Sequence, residues 1–153
     1  MSPNSTEIII IAARIPDSPT SISTTVYGYS VLISWTTPYN GGTPLTAFTI
    51  VIRQSDGVAF SQDVADCPGT SSTILNSAQC SIPITVLRSA PYNLAWGSSV
   101  WAKVSASNLV GDSAYSDEGN GAIILTIPDA PINLANNALV TSMSQVGISW
   151  NEG

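Results

Sequence analysis

Histidine is absent, and only four residues are basic: Arg14, Arg53, Arg88 and Lys103. The first gap removes the commonest general acid–base group. The second removes any patch able to follow a nucleic-acid backbone or grip an anionic membrane, because both depend on clustered Lys and Arg. Ten acidic residues leave a net charge of -6. Charged residues of both signs amount to 9% of the chain, against about 25% in an ordinary soluble domain. The exterior must therefore be built from Ser, Thr, Asn and Gln, which suits an extracellular, glycan-coated protein better than a cytosolic enzyme. Long apolar runs are missing as well. The longest, residues 8–13, is far short of the roughly 20 residues that span a bilayer, and no basic stretch precedes it as in a signal peptide.

Catalytic patterns are equally scarce. The chain has no G-x-S-x-G elbow and no phosphate-binding loop, the two arrangements that expose a nucleophile or cradle a phosphate. No cofactor is implied, and the chain is expected to be non-catalytic. Two cysteines are present, Cys67 and Cys80, outside any C-x-x-C pair. Without histidine they make no zinc site. They read as a disulfide closing a short loop, which contributes about 3 kcal/mol by restricting the unfolded chain and implies an oxidising compartment. The other reading is two buried free thiols behaving as small apolar side chains.

What is present is a repeat. Ile15-Pro16-Asp17-Ser18-Pro19 returns as Ile127-Pro128-Asp129-Ala130-Pro131, an offset of 112. Val31-Leu32-Ile33-Ser34-Trp35 returns as Val146-Gly147-Ile148-Ser149-Trp150, an offset of 115. Residues 8–13 precede the first proline motif much as residues 122–126 precede the second. A period of this size equals one β-sandwich domain with a short linker. The expected division is 1–16 for the last strand of a preceding repeat and its linker, 17–127 for a complete domain, and 128–153 for the first two strands of a following repeat.

Between these markers the pattern is all-β. Short runs of Val, Ile, Thr and aromatic residues are punctuated by Gly, Pro, Asn and Ser. Ile22 begins an edge strand after Pro19. Val31, Ile33 and Trp35 alternate with Leu32 and Ser34 and face the core. Phe48, Ile50 and Ile52 alternate with Thr49, Val51 and Arg53 in the next strand. Asp56-Gly57 turns the chain into a returning strand over residues 58–64. Residues 68–79 form a polar loop. Residues 80–86 read as a strand with Ile82, Ile84 and Val86 inward, Pro83 marking an edge or bulge. Val100, Ala102, Val104 and Ala106 point inward, leaving Trp101, Lys103, Ser105 and Ser107 outside. Tyr115 and residues 122–127 form an interrupted last strand, kinked at residues 117–121.

Ser18-Pro19, Trp35, the run Asn40-Gly41-Gly42-Thr43-Pro44-Leu45, Phe48, and Lys103-Val104-Ser105-Ala106-Ser107-Asn108 with Gly111 and Ser113 together resemble a fibronectin type III repeat. The resemblance covers about 110 residues and implies an immunoglobulin-like β-sandwich with partial repeats at both ends. Cys80-Ser81-Ile82-Pro83, Trp96-Gly97-Ser98-Ser99 and Glu118-Gly119-Asn120-Gly121-Ala122 also resemble long arrays of such repeats in protist surface proteins. Two features depart from the family. Its tyrosine at the start of the sixth strand is Val100 here, and Cys67 with Cys80 is not a family pair. No Arg-Gly-Asp occurs, so integrin binding does not carry over.

The candidate sites follow. Asn4-Ser5-Thr6 is an N-glycosylation sequon at Asn4. Asp112, Asp117 and Glu118 offer oxygen ligands without the spacing of a calcium loop and read as a solvated loop; no metal site is expected. Trp101 points away from the core beside Val51, with Tyr115 near, as an exposed aromatic interface; alternatively it lies across the stems of Lys103 and Arg53. Tyr92 and Trp96 plug the end of the sandwich, with sugar stacking as the other possibility. Ile8, Ile9, Ile10 and Ile11 at one end, and Ile148 and Trp150 at the other, are strands without partners within a single repeat. They are expected to pair with copies of the chain or adjacent repeats, giving a head-to-tail fibre or surface coat through strand complementation. The alternative is an adhesion or ligand-binding module of a multidomain surface protein.

Overall fold

The computed structural model describes residues 12–125 and 130–152. Eight strands and two short helices follow in chain order: β1 (Thr20–Tyr27), β2 (Ser30–Thr36), β3 (Leu45–Arg53), β4 (Phe60–Gln62), α1 (Ser72–Ser77), β5 (Gln79–Pro83), α2 (Ile84–Leu87), β6 (Ala102–Asn108), β7 (Ile132–Asn136) and β8 (Ile148–Asn151). β1, β2 and β5 form one antiparallel sheet in that order, and β4, β3 and β6 form a second. Alternation decides which faces meet. Val31, Ile33 and Trp35 from β2 are buried against Phe48, Ile50 and Ile52 from β3 and Ala102, Val104 and Ala106 from β6. Trp35 and Phe48 pack edge to face, with ring centroids 5.1 Å apart, the arrangement aromatic quadrupoles favour. The result is an all-β, antiparallel sandwich around one core.

The chain after β6 closes the sandwich without forming a regular strand. Residues 113–124 run beside β6, with Val100 N–H donating to the Ala122 carbonyl at 2.9 Å and Ala102 and Gly119 exchanging two bonds of 2.9 Å. The same segment also lies on β1. A Cβ at Gly119 would stand 1.9 Å from the Ile22 carbonyl oxygen, so only glycine allows that approach. Thr24 fixes the seam. Its buried hydroxyl donates to the Val100 carbonyl and accepts the Ala122 N–H, each at 2.9 Å. One β1 side chain thus joins the first sheet to the edge of the second.

Three stretches differ from the sequence reading. The returning strand is confined to Phe60–Gln62, and Val58 and Val64 are exposed. The turn before it is set locally, because the Asp56 carboxylate accepts the Val58 and Ala59 N–H groups, which holds its pKa below the usual carboxylate range. Residues 80–86 are not one strand: β5 ends at Pro83, whose missing N–H is tolerated on the edge of the sheet, and the Ile84 N–H makes a last cross-strand bond to the Tyr29 carbonyl at 2.9 Å. The chain then turns into α2, burying Ile84 and Leu87 and leaving Val86 half-buried. The polar loop contains α1, which lays Ile74 on the core. Cys67 and Cys80 are bonded, with Cα atoms 5.4 Å apart, and the bridge ties this loop to β5. Ser105, read as outward, is buried.

Candidate functional site

The second hairpin, β7–β8, repeats the first in detail. Ile132 pairs with Asn151, Ala135 with Ser149 and Asn136 with Ile148. Each pair sits at the offsets of the repeat from Thr20–Thr36, Ser23–Ser34 and Thr24–Ile33 in β1–β2. Both hairpins carry a register shift after the first pair. Both place one non-glycine residue in the left-handed region there, Ser21 at φ 55° and Asn133 at φ 56°. The connection is three residues longer in the second copy, the difference between the offsets of 112 and 115. It is held closed by its own bonds, including Asn137 N–H to the Gly147 carbonyl at 2.9 Å and Gly147 N–H to the Thr141 hydroxyl at 2.9 Å.

Burial separates the two copies. Ile33 and Trp35 are 0% and 6% exposed, whereas Ile148 and Trp150 at the matching positions are 55% and 56% exposed. Ile132, Leu134 and Val146 are exposed with them. Among the described residues, β7 and β8 pair only with each other. Ile148 and Trp150 therefore lie together on an open apolar hairpin. Ile8, Ile9, Ile10, Ile11 and the sequon at Asn4 fall outside the described residues.

The outer face of the β4–β3–β6 sheet holds Val51, Trp101 and Tyr115, though not as one apolar patch. Val51 is buried, and its cross-strand neighbours are Gln62 and Lys103. The Lys103 ammonium lies 3.9 Å from the centre of the Phe60 ring and 5.2 Å from that of Tyr115. The Arg53 guanidinium lies 4.5 Å from the Trp101 ring centre and 3.4 Å from the Glu118 carboxylate. Elsewhere Arg88 covers Trp96 at 3.9 Å and Arg14 covers Tyr39 at 5.4 Å. Every basic residue of the chain thus sits over an aromatic ring, within the distance at which a ring face attracts a cation. Sequence reading finds only part of this, in the placing of Trp101, Lys103 and Arg53 on one face. Tyr115 is expected near them, and Phe60 arrives there by folding.

Next to Trp101 an open groove of about 370 Å³ runs between residues 53–57 and 93–99, lined by Gln54, Ser55, Asn93 and Ser99 among others. Tyr92 is buried under the same end of the sandwich, and its hydroxyl has no hydrogen-bond partner. Burial, helped by the Asp63 and Asp66 carboxylates, pushes its pKa up to about 12. Of the acidic residues weighed for calcium, two are otherwise engaged: Asp112 accepts the Ser107 hydroxyl and Glu118 faces Arg53. Among the described residues no three acidic, cysteine or histidine side chains gather as metal ligands, and no helix is long and apolar enough to cross a membrane.

A different side chain, Asn108, ties three segments together. Its amide nitrogen donates to the Arg14 carbonyl at 2.7 Å and to the Asn40 carbonyl at 2.8 Å. Its amide oxygen accepts the Val110 and Gly111 N–H groups at 2.8 and 3.2 Å. In the sequence it marks only the turn after β6; its link to a residue so early in the chain has no local signal.

No family model matches the sequence, and no curated protein matches it. Solved structures do. A crystal structure of consecutive titin domains is similar at a TM-score of 0.55 and 21% identity, over 74% of this chain and 34% of that one. The FN1-FN3 domains of chicken CNTN1 match at 0.55 and 15% identity, over 89% of this chain and 42% of that one. The titin kinase with its flanking domains matches at 0.52 and 20% identity, over 72% and 18%. This chain therefore spans less than half the length of each. Sheet order, the single core and these likenesses agree that the chain has a fibronectin type III-like β-sandwich fold.

Proposed function

We propose that the chain is a non-catalytic structural module of an extracellular fibre or cell-surface coat. Sandwich units follow one another in it, and the open hairpin of one is completed by strands of a neighbouring copy. The observation that carries this reading is the second hairpin, whose pairing and bulge match β1–β2 while Ile148 and Trp150 stand open. In the first copy the matching side chains are covered by Phe48 and the rest of the second sheet. That defines the cover the second copy needs: a sheet edge beside β8 and an apolar sheet face over Trp150. Strand addition supplies the first through main-chain bonds and the second through alternate side chains. Contacts of this kind that do not close on themselves build filaments. The disulfide and the low charge support an extracellular setting.

Light scattering and electron microscopy across a concentration series test the assembly. Mass should grow with concentration, and a Trp150→Ser, Ile148→Ser variant should stay monomeric. A native protein that remains monomeric at millimolar concentration would sink the head-to-tail reading. The groove beside Trp101 favours a second reading, an adhesion or ligand-binding module of a multidomain surface protein. Binding to a glycan or peptide array that disappears in Trp101→Ala would support it.

A further inference from the structure

The segment leading into the sandwich is held by it. Arg14 N–H donates to the Gly41 carbonyl at 2.9 Å, and Asp17 N–H donates to the Tyr39 carbonyl at 3.0 Å. Asn108, the last residue of β6, adds a bond to the Arg14 carbonyl from the other side. The Arg14 guanidinium lies over Tyr39 and reaches the Asp17 carboxylate at 2.7 Å. Pro16 is buried, and a methyl carbon of Ile15 lies against Gly111. Gly41 makes the approach possible, since a Cβ there would stand 2.1 Å from the Arg14 carbonyl oxygen. None of these contacts belongs to either sheet. They hold in place a stretch that composition alone would leave as a linker.

We propose that residues 39–42 and 108–111 form a docking cleft for an extended segment of the Ile-Pro-Asp-x-Pro kind, and that this docking stiffens the junction between successive units. The stiffening part rests on the reading of serial units given above; the cleft itself does not. The ligand chemistry is specific. Two main-chain N–H groups three residues apart meet two loop carbonyls, and one carbonyl meets a buried amide. A proline between them takes the extended backbone without leaving a stranded donor. Residues 127–131 differ from residues 15–19 only in Ala130 for Ser18, with Thr126 at the place of Arg14, so the chain carries a second segment with the same main-chain donors and proline but without the Arg14 side-chain contacts. A following unit with the same two loops would hold it in the same way.

Backbone ¹⁵N relaxation of the protein tests this directly. Order parameters at Arg14, Ile15 and Asp17 should match those of β1, about 0.85, rather than fall below about 0.6 as in a free tether. Asn108→Ala should release the segment to tether values while the amides of β2 and β3 keep theirs. Should that variant lose the folded spectrum, Gly41→Ala decides instead, because its Cβ would stand 2.1 Å from the Arg14 carbonyl oxygen and so denies the segment its seat outside both sheets. A mobile segment in the native protein, or one that stays rigid in the deciding variant, overturns the proposal. A monomeric protein with a rigid segment would defeat the fibre reading and leave the cleft standing.

Discussion

The two hairpins of this chain have nearly the same backbone and opposite surroundings. β1–β2 and β7–β8 share three residue pairs, a bulge at the same place and a left-handed residue within it. Yet Trp35 is enclosed and Trp150 is open. Register and bulge are therefore written locally, in the strand pattern and the residue that takes φ > 0. Burial is not local: it depends on what the rest of the chain, or another chain, brings to the face. The pairing that is stable within a three-stranded sheet is marginal as an isolated two-stranded ribbon in water. This is why the open copy reads as an interface rather than as a finished element.

The sharpest way to break the comparison is to truncate the same tryptophan in each copy. Trp35→Ala should cost about 3–5 kcal/mol, the range for emptying a large aromatic site in a core. At roughly 4–8 °C per kcal/mol for a domain of this size, the melting temperature should fall by tens of degrees. Trp150→Ala should leave sandwich unfolding within about 0.5 kcal/mol of the native protein and act on assembly alone. Urea titrations of both variants at low protein concentration check this. Equal destabilisation would mean that the second hairpin packs on the sandwich.

The disulfide gives the next largest contrast, because it staples only the first unit. Replacing Cys67 and Cys80 together by Ala should cost about 3 kcal/mol, since the bridge spans a sequence separation of 13. Amide exchange should rise along β5 and α1 and stay unchanged in β7 and β8. Below that comes the Thr24 seam. Thr24→Val keeps the shape but orphans the Ala122 N–H and the Val100 carbonyl, at a cost of about 1–3 kcal/mol. Asn136→Val at the matching position of the second hairpin should cost the sandwich nothing measurable.

How far the sequence foretold this structure follows the same division. β2, β3 and β6 were legible because each sends every second apolar side chain into a shared core. The repeat was legible because Trp and the Pro motif recur at fixed spacing. Residues 80–86 misled because their apolar alternation runs past Pro83 into α2, where the helical spacing of Ile84 and Leu87 buries both. Val58 and Val64 misled because single exposed apolar residues are ordinary on a protein surface. The cations over aromatic rings, the buried Ser105 and the Asn108 bridge to Arg14 were largely illegible for one reason. Each depends on which segments the fold lays side by side, and single-sequence periodicity carries no information about that.

The smallest effect separates the two regions by pH. Tyr92 is buried in the first unit, and residues 130–152 contain no tyrosine. Its hydroxyl has no partner, so Tyr92→Phe removes a buried polar group without orphaning another and should change stability at neutral pH by less than about 1 kcal/mol, in either direction. At high pH the variant and the native protein should part. Burial first, then the Asp63 and Asp66 carboxylates, raise the Tyr92 pKa to about 12 in the folded state, against about 10 in an unfolded chain. The folded protein thus keeps a proton that the unfolded chain sheds. The stability tied to that proton is fully present below about pH 10 and is lost as pH rises toward 12. Urea midpoints of the native sandwich should therefore fall across that window, and those of Tyr92→Phe should fall less. The β7–β8 pairing, followed through its own amides, should not respond to this group at all. Parallel curves for the two proteins would show that Tyr92 is open to solvent, and the enclosed end of the first unit would then lose its distinction from the open hairpin.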